Sequence, residues 1–281
     1  MKKSILKSIS GLLIDLDGVV YISNEPIPGA ADAITRLKSK NVPLRFVTNT
    51  TTMSQDSLHK KIIGMGLPIE KHEIISAVQA CVLYLRGRQT SSSAARKPTC
   101  YLVLTDDCKK DFAEFKQIDK NPDYIIVGDL ETGRPSRPGG TVGSSDTSAG
   151  WNYDLLNKIF NMLITGSKMI ALHKGKFWQT AGGLTLDIGI FVAGLEYVTG
   201  QKAILMGKPS SNFFKLALKD LGVFASRAAM IGDDLDNDIK GAQAVGMKAI
   251  LVKTGKYREE LEKKSKVKAD AMLGSLRHLW Q

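Results

Sequence analysis

The sequence predicts an α/β protein in which a parallel sheet covered by helices is interrupted by a second α/β domain. Three observations lead there. Short apolar runs alternate with helical stripes near both ends of the chain, the pattern of a parallel sheet with crossover helices. Between them lies a long middle segment with elements of its own. The chain has 281 residues, enough for two ordinary domains at roughly 100–200 residues each.

Leu12–Leu16 (LLIDL) is a short apolar run ending at Asp-Gly, which reads as a buried parallel strand. After Gly29, the stripe Ala30, Ala31, Ala33, Ile34 and Leu37 predicts a helix ending near Asn41. Pro43–Val47 reads as a strand running into Thr48-Asn49-Thr50. Ser54 can cap a helix whose apolar face uses Leu58, Ile62 and Ile63. The grammar returns late in the chain. Ala203–Met206 reads as a strand, followed by a helix capped by Ser210 or Ser211 and closed by Gly222. Ala228–Ile231, Lys248–Val252 and an edge strand at Ala269–Leu273 complete the expected sheet, with a helix through Ile239, Ala242 and Val245.

The middle offers strands at Tyr101–Leu104, Tyr124–Val127 and Met169–Leu172, a helical stripe at Leu155, Ile159, Met162 and Leu163, and a helix over Phe191–Val198. The expected division is therefore a core of residues 1–76 and 203–281 and an inserted domain of residues 77–202. Segments 89–97 and 131–150 are rich in small and polar residues, and the second reads as a mobile loop because it has too little apolar area to repay ordering.

Composition excludes several classes. Hydrophobic residues make up 43% and charged residues 24%, as in a soluble globular protein. No apolar run approaches the ~20 residues of a membrane span, and the basic opening MKKSILKSIS is too broken for a signal-peptide core. Three cysteines cannot frame a chain of this length with disulfides, which points to a reducing, cytoplasmic setting. The net charge of +11 favours anionic partners, yet the basic residues are dispersed and lack the aromatic interleaving of RNA-binding modules. The anionic partner expected from charge is a phosphorylated small molecule, with no nucleic acid and no membrane.

Four turns carry candidate chemistry. Asp15 and Asp17, with Gly18 next, follow the first strand; two carboxylates there can bind a hard cation and present an oxygen nucleophile. Thr48 and Asn49 offer a hydroxyl and an amide suited to a phosphate oxygen. Lys208, before Pro209, can neutralise charge on a transferring phosphoryl group. Asp233 and Asp234, with Asp236 and Asp238 behind them, cluster carboxylates that repel unless a cation compensates them. Each turn alone also fits a plain strand-ending turn, a helix cap or a surface lysine. Their order, each at the end of a strand expected in one sheet, is what singles them out, because ligands of parallel sheets bind at the carboxyl ends of strands.

DLDGVVY (Asp15–Tyr21), FVTNTT (Phe46–Thr51), GKP (Gly207–Pro209) and IGDDLDNDI (Ile231–Ile239) together resemble the haloacid dehalogenase (HAD) superfamily of aspartate-nucleophile phosphatases. The long insertion resembles the cap of the branch that includes 4-nitrophenylphosphatases and phosphoglycolate phosphatases. GLTLDIGIFVAGLEYVTG, GKPSSNFFKLAL and ILVKTGKY resemble the phospholysine phosphohistidine inorganic pyrophosphate phosphatase and HAD-like hydrolase domain-containing protein 2 type. Some members of that type carry Ser at the position of Asp17; here the acid/base position is filled.

The resemblance implies a Rossmann-like core with an α/β cap. It implies a Mg²⁺-dependent phosphatase acting on phosphate monoesters, phosphoramidates or pyrophosphate, with Asp15 as nucleophile and Asp17 as acid/base, and it adds pyrophosphate or a phosphoprotein to the small phosphorylated molecule as the partner. Gly18, Thr48, Asn49 and Lys208 would hold the phosphoryl group. Asp15, the Asp17 carbonyl and Asp233 would hold Mg²⁺, with Asp234 and Asp238 auxiliary. A homodimer through the cap is implied in the same way. The alternative is a regulatory or binding protein that keeps the fold and turns over little. His173, Lys174 and Lys176 form a cap group whose contact with substrate the sequence leaves open.

Overall fold

The computed structural model describes residues 9–88, 96–130, 150–180 and 183–280. In chain order the strands are β1 (Gly11–Asp15), β2 (Tyr21–Ile22), β3 (Glu25–Pro26), β4 (Leu44–Thr48), β5 (Ile74–Ser76), β6 (Cys100–Val103), β7 (Tyr124–Val127), β8 (Lys168–Ala171), β9 (Phe177–Thr180), β10 (Gly183–Leu186), β11 (Ile204–Leu205), β12 (Ala228–Gly232), β13 (Lys248–Val252) and β14 (Ala271–Leu273). The longer helices are α1 (Ala30–Ser39), α2 (Gln55–Gly64), α3 (Ala77–Arg86), α4 (Tyr153–Ile164), α5 (Gly189–Thr199) and α6 (Ser211–Leu221).

The chain forms two compact units. The first takes residues 1–49, 55–76 and 207–281; the second takes 50–54 and 77–206. The first is built on a six-stranded sheet in the order β14-β13-β12-β1-β4-β5, with every pair parallel. Strands β1 and β12 are buried along their whole length, as expected of central parallel strands covered on both faces. α1 buries Ala30, Ala33, Ile34 and Leu37, the stripe its spacing predicts. α6 starts where the Ser210 hydroxyl accepts the amide of Asn212 and stops at Gly222, whose φ of 73° closes the C-terminus.

The second unit holds a parallel four-stranded sheet, β11-β8-β7-β6, and the antiparallel hairpin β9–β10. Val103, Ile125, Val127, Ile159, Met162, Leu163, Val192 and Leu195 form its core. Trp151 stacks on Phe191 with ring centroids 4.6 Å apart. The three cysteines are buried, and burial pushes the Cys100 thiol up to about 12, so they pack as small apolar side chains.

Two expectations give way. The strand before Lys208 does not join the first unit's sheet: β11 pairs with β8, Ile204 opposite Ile170. Two paired residues carry too little pattern to specify which sheet they join. β5, three residues long, is also a sheet member that periodicity does not mark. Residues 131–149, and most of the segment 89–97, lie outside the described residues.

One local network in the second unit is testable. Asp123 accepts both guanidinium nitrogens of Arg96, at 2.7 and 2.8 Å, and the amide and hydroxyl of Thr99, at 2.7 and 2.8 Å. The Arg96 hydrogen bond chiefly holds its carboxyl down at about 2, from an ordinary 3.8. A depressed folded-state pKa gives stability that is present above pH ~4 and lost as pH falls through ~2. Asp123→Asn should therefore cost about 1–2 kcal/mol at pH 7, with the gap from wild type closing toward pH 2 in urea denaturation series.

Candidate active site

Three adjacent strands deliver side chains to one edge of the first unit's sheet. β1 ends at Asp15, β4 at Thr48, and β12 at Gly232, with Asp233 next. Asp15, Thr48 and Asp233 are all buried. Lys208 reaches the same place from the turn that leads into α6, and it too is buried. Its ammonium lies 2.7 Å from Asp15 Oδ1 and 2.6 Å from Asp238 Oδ1. Asp238, fully buried, comes from the π-helical turn Leu235–Lys240 that follows β12.

The electrostatics follow from burial. Removal from water pushes the Asp15 carboxyl up, as does the Asp233 charge, against the pull of Lys208. Burial, with Asp15 nearby, pushes Asp238 up to about 7; burial likewise lifts Asp233 to about 6. Burial opposes the charge on Lys208, but the Asp15 and Asp238 carboxylates outweigh it and hold the ammonium above its ordinary range. Candidate ligand oxygens of Asp15, Asp233 and Asp238 lie within 4.8 Å of one another. When all three carboxylates are ionised, they exceed the one ammonium by two charges, and burial pushes all three up. Asp233 Oδ1 is buried without a hydrogen-bond partner among the described residues. Hard oxygens in charge deficit, one of them orphaned, fit a divalent ion such as Mg²⁺.

The two oxygens of Asp15 differ. Oδ1 accepts the amide of Leu16 at 2.8 Å and the Lys208 ammonium. Oδ2 takes neither.

Three candidates have side chains differently engaged from what their residue types suggest. The Asn49 amide brackets the main chain of Lys208, accepting its N–H at 2.7 Å and donating to its carbonyl at 2.9 Å. Its side chain therefore positions the main chain of Lys208. Asp234 is a helix cap: Oδ1 accepts the amides of Asp236 and Asn237, and Oδ2 accepts the Asn237 side chain and Lys256 Nζ. Both of its oxygens thus accept hydrogen bonds from the turn after β12 and from Lys256. Asp238 pairs with Lys208, and its Oδ2 accepts the Asp234 amide at 3.2 Å. Asp17 is exposed, next to buried Gly18, whose amide donates to the Tyr21 carbonyl at 2.7 Å.

Two family models match the chain: haloacid dehalogenase-like hydrolase over residues 12–116 and HAD-hydrolase-like over residues 205–279. The chain belongs to the haloacid dehalogenase family of hydrolases. It is 35% identical to human haloacid dehalogenase-like hydrolase domain-containing protein 2, over 92% of this chain and 89% of that protein. It is 34% identical to human phospholysine phosphohistidine inorganic pyrophosphate phosphatase, over 96% of this chain and 93% of that protein. The solved structure of 4-nitrophenylphosphatase from Thermotoga maritima superposes with a TM-score of 0.82 at 25% identity, covering 98% of this chain and 97% of that one.

In this hydrolase the cap residues singled out in the sequence lie in the second unit. His173 Nε2 faces Asp129 Oδ1 at 3.3 Å, and Lys174 pairs with Glu196 at 2.6 Å. Lys176 is exposed. Sequence reasoning missed a fourth strand end: the Thr254-Gly255-Lys256 turn after β13, where the Lys256 amide donates to Asp233 Oδ2 at 2.6 Å. Its signal was a TGK turn at the end of a strand of the same sheet. No described helix is long and apolar enough to cross a membrane.

Lys208 holds two buried carboxylates, so its removal should be costly. Lys208→Met should lose about 3–5 kcal/mol of stability in metal-free urea denaturation. Adding Asp238→Asn should recover part of that loss, since one fewer charge is then buried unpaired. Equal stability of Lys208→Met and wild type would contradict the pairing.

Proposed function

We propose that the hydrolase is a Mg²⁺-dependent phosphatase that acts on phosphate monoesters, phosphoramidates or pyrophosphate through an aspartyl-phosphate on Asp15. The observation that carries this reading is the asymmetry of Asp15. Lys208 and the Leu16 amide hold Oδ1 at a strand end, and Oδ2 is left to attack. The names of the human and Thermotoga relatives supply the substrate classes.

Asp15 Oδ2 forms a bond to phosphorus as the bond to the leaving oxygen or nitrogen breaks. Asp17, exposed beside this edge of the sheet, gives its proton to the leaving group. It then takes a proton from a water that attacks the same phosphorus, releasing inorganic phosphate and restoring the Asp15 carboxylate. Lys208 offsets charge during both displacements. Thr48 binds a phosphoryl oxygen, Gly18 lets the chain approach the group closely, and Asn49 keeps Lys208 in place. Asp15, the Asp17 carbonyl and Asp233 would hold Mg²⁺, with Asp238 balancing Lys208. When bound, the ion polarises the phosphoryl oxygens and neutralises charge on them.

Asp15→Asn should abolish turnover of 4-nitrophenyl phosphate without changing the circular dichroism spectrum. Wild-type activity should vanish in chelator and return with Mg²⁺. Full activity in Asp15→Asn would rule out the covalent route, and a folded wild type inert on esters, phosphoramidates and pyrophosphate would favour the low-turnover binding protein. Asp17→Asn should slow the reaction about 10²–10⁴-fold, with a smaller loss in the first displacement for leaving groups of low pKa. Single-turnover rates across a series of aryl phosphates measure this, and an equal loss for every ester would remove Asp17 from the acid role.

A further inference from the structure

The turn after β13 belongs to no part of the chemistry above, yet it touches the cation site at three points. Thr254 Oγ1 donates to the Gly18 carbonyl at 2.5 Å. The Lys256 amide donates to Asp233 Oδ2. Gly255, between them, has a φ of 58°, and a Cβ there would sit 2.0 Å from Asp233 Oδ2 and 2.5 Å from the Gly18 Cα. Gly18 mirrors it: with φ at 88°, its Cβ would also sit 2.0 Å from Asp233 Oδ2. The Asp233 carboxylate is thus slotted between two glycine backbones, one on the turn after β1 and one on the turn after β13.

This arrangement fixes which oxygen Asp233 offers. Oδ2 is pinned by the Lys256 amide in the glycine slot, while Oδ1 stays buried without a partner among the described residues. The Thr254 hydroxyl ties the Gly18 turn to the same segment, so the carboxylate and the loop carrying Asp17 are held as one piece. We infer that Thr254 and Gly255 are positioning residues that aim Asp233 Oδ1 at the divalent cation. The inference rests on the cation site proposed above. The Lys256 side chain is 70% exposed and takes its ion pair from Asp234, which also accepts helix amides, so the Lys256 contact that pins Asp233 is the main-chain amide. Exposed ion pairs of that kind contribute little.

The test is calorimetric titration of Mg²⁺ alone into folded, substrate-free protein, with circular dichroism as the check on folding. Gly255→Ala and Thr254→Val should each weaken Mg²⁺ binding about tenfold or more, the usual loss when a partner that orients a metal ligand is removed. Thr254→Ser keeps the hydroxyl and should restore wild-type affinity. Lys256→Gln keeps the backbone amide and should stay within about threefold of wild type. Gly246→Ala supplies the control for backbone strain, because Gly246 has a φ of 85° with nothing within 4 Å of its Cβ position. It should lower melting temperature and leave Mg²⁺ affinity unchanged. If the wild type binds Mg²⁺ and Gly255→Ala and Thr254→Val bind it equally well, the positioning role is wrong and the cation site stands. An equal loss of affinity in Gly246→Ala would also overturn the role of Gly255. Should Gly255→Ala not fold, the Thr254→Val and Thr254→Ser pair decides. A wild type that binds no Mg²⁺ overturns the cation site, and the inference falls with it.

Discussion

The first unit is organised around one buried ammonium. Lys208 sits between Asp15 and Asp238 with both carboxylates within 2.7 Å, and all three are buried. A buried charge is tolerable only when paired and hydrogen-bonded. That constraint explains the surroundings. Asn49 spends its whole side chain fixing the main chain of Lys208, across 159 residues of sequence. The π-helical turn after β12 brings Asp238 in under the strand ends. The pairing leaves Asp233 uncompensated, so the same cluster that stabilises Lys208 asks for a further cation.

In the proposed reading, reaction and specificity belong to different parts of the chain. The nine candidates for the phosphoryl and cation site, Asp15, Asp17, Gly18, Thr48, Asn49, Lys208, Asp233, Asp234 and Asp238, fall in the first unit. In the proposed mechanism they carry the displacement at phosphorus and say nothing of what the phosphoryl group is attached to. The second unit has its own sheet and core, and two of its basic side chains pair within it: Lys174 with Glu196, His173 with Asp129. Relatives that share the architecture carry names spanning aryl phosphates, phosphoramidates and pyrophosphate, as expected if one set of strand ends serves several leaving groups.

Much of the fold was legible because central parallel strands are apolar throughout and their helices carry clear stripes. β1 and β12, α1 and α6 follow from pattern, cap and C-terminal glycine. The sheet joined by Ile204–Leu205 was not legible, nor was β5, because two or three residues hold no period. The site was legible as an order of motifs at strand ends. The commitments of individual side chains were not. That Asn49 brackets the main chain of a residue 159 positions away, and that Asp234 caps its own helix, cannot be read from residue type. The turn at Thr254–Lys256 contains no carboxylate and no nucleophile; it acts through one main-chain amide, one hydroxyl and the absence of a side chain, features that residue type alone does not advertise.

The central claim is that Asp15 becomes covalently phosphorylated. Acyl phosphates are reduced by borohydride, and reduction of an aspartyl-phosphate leaves homoserine. The most direct measurement is therefore borohydride quenching of the wild-type enzyme during turnover of 4-nitrophenyl phosphate, followed by peptide mass spectrometry. The account predicts homoserine at position 15, dependent on substrate and absent from Asp15→Asn. Homoserine at another aspartate, or an unmodified Asp15 in an enzyme that is turning over with dephosphorylation rate-limiting, would contradict it.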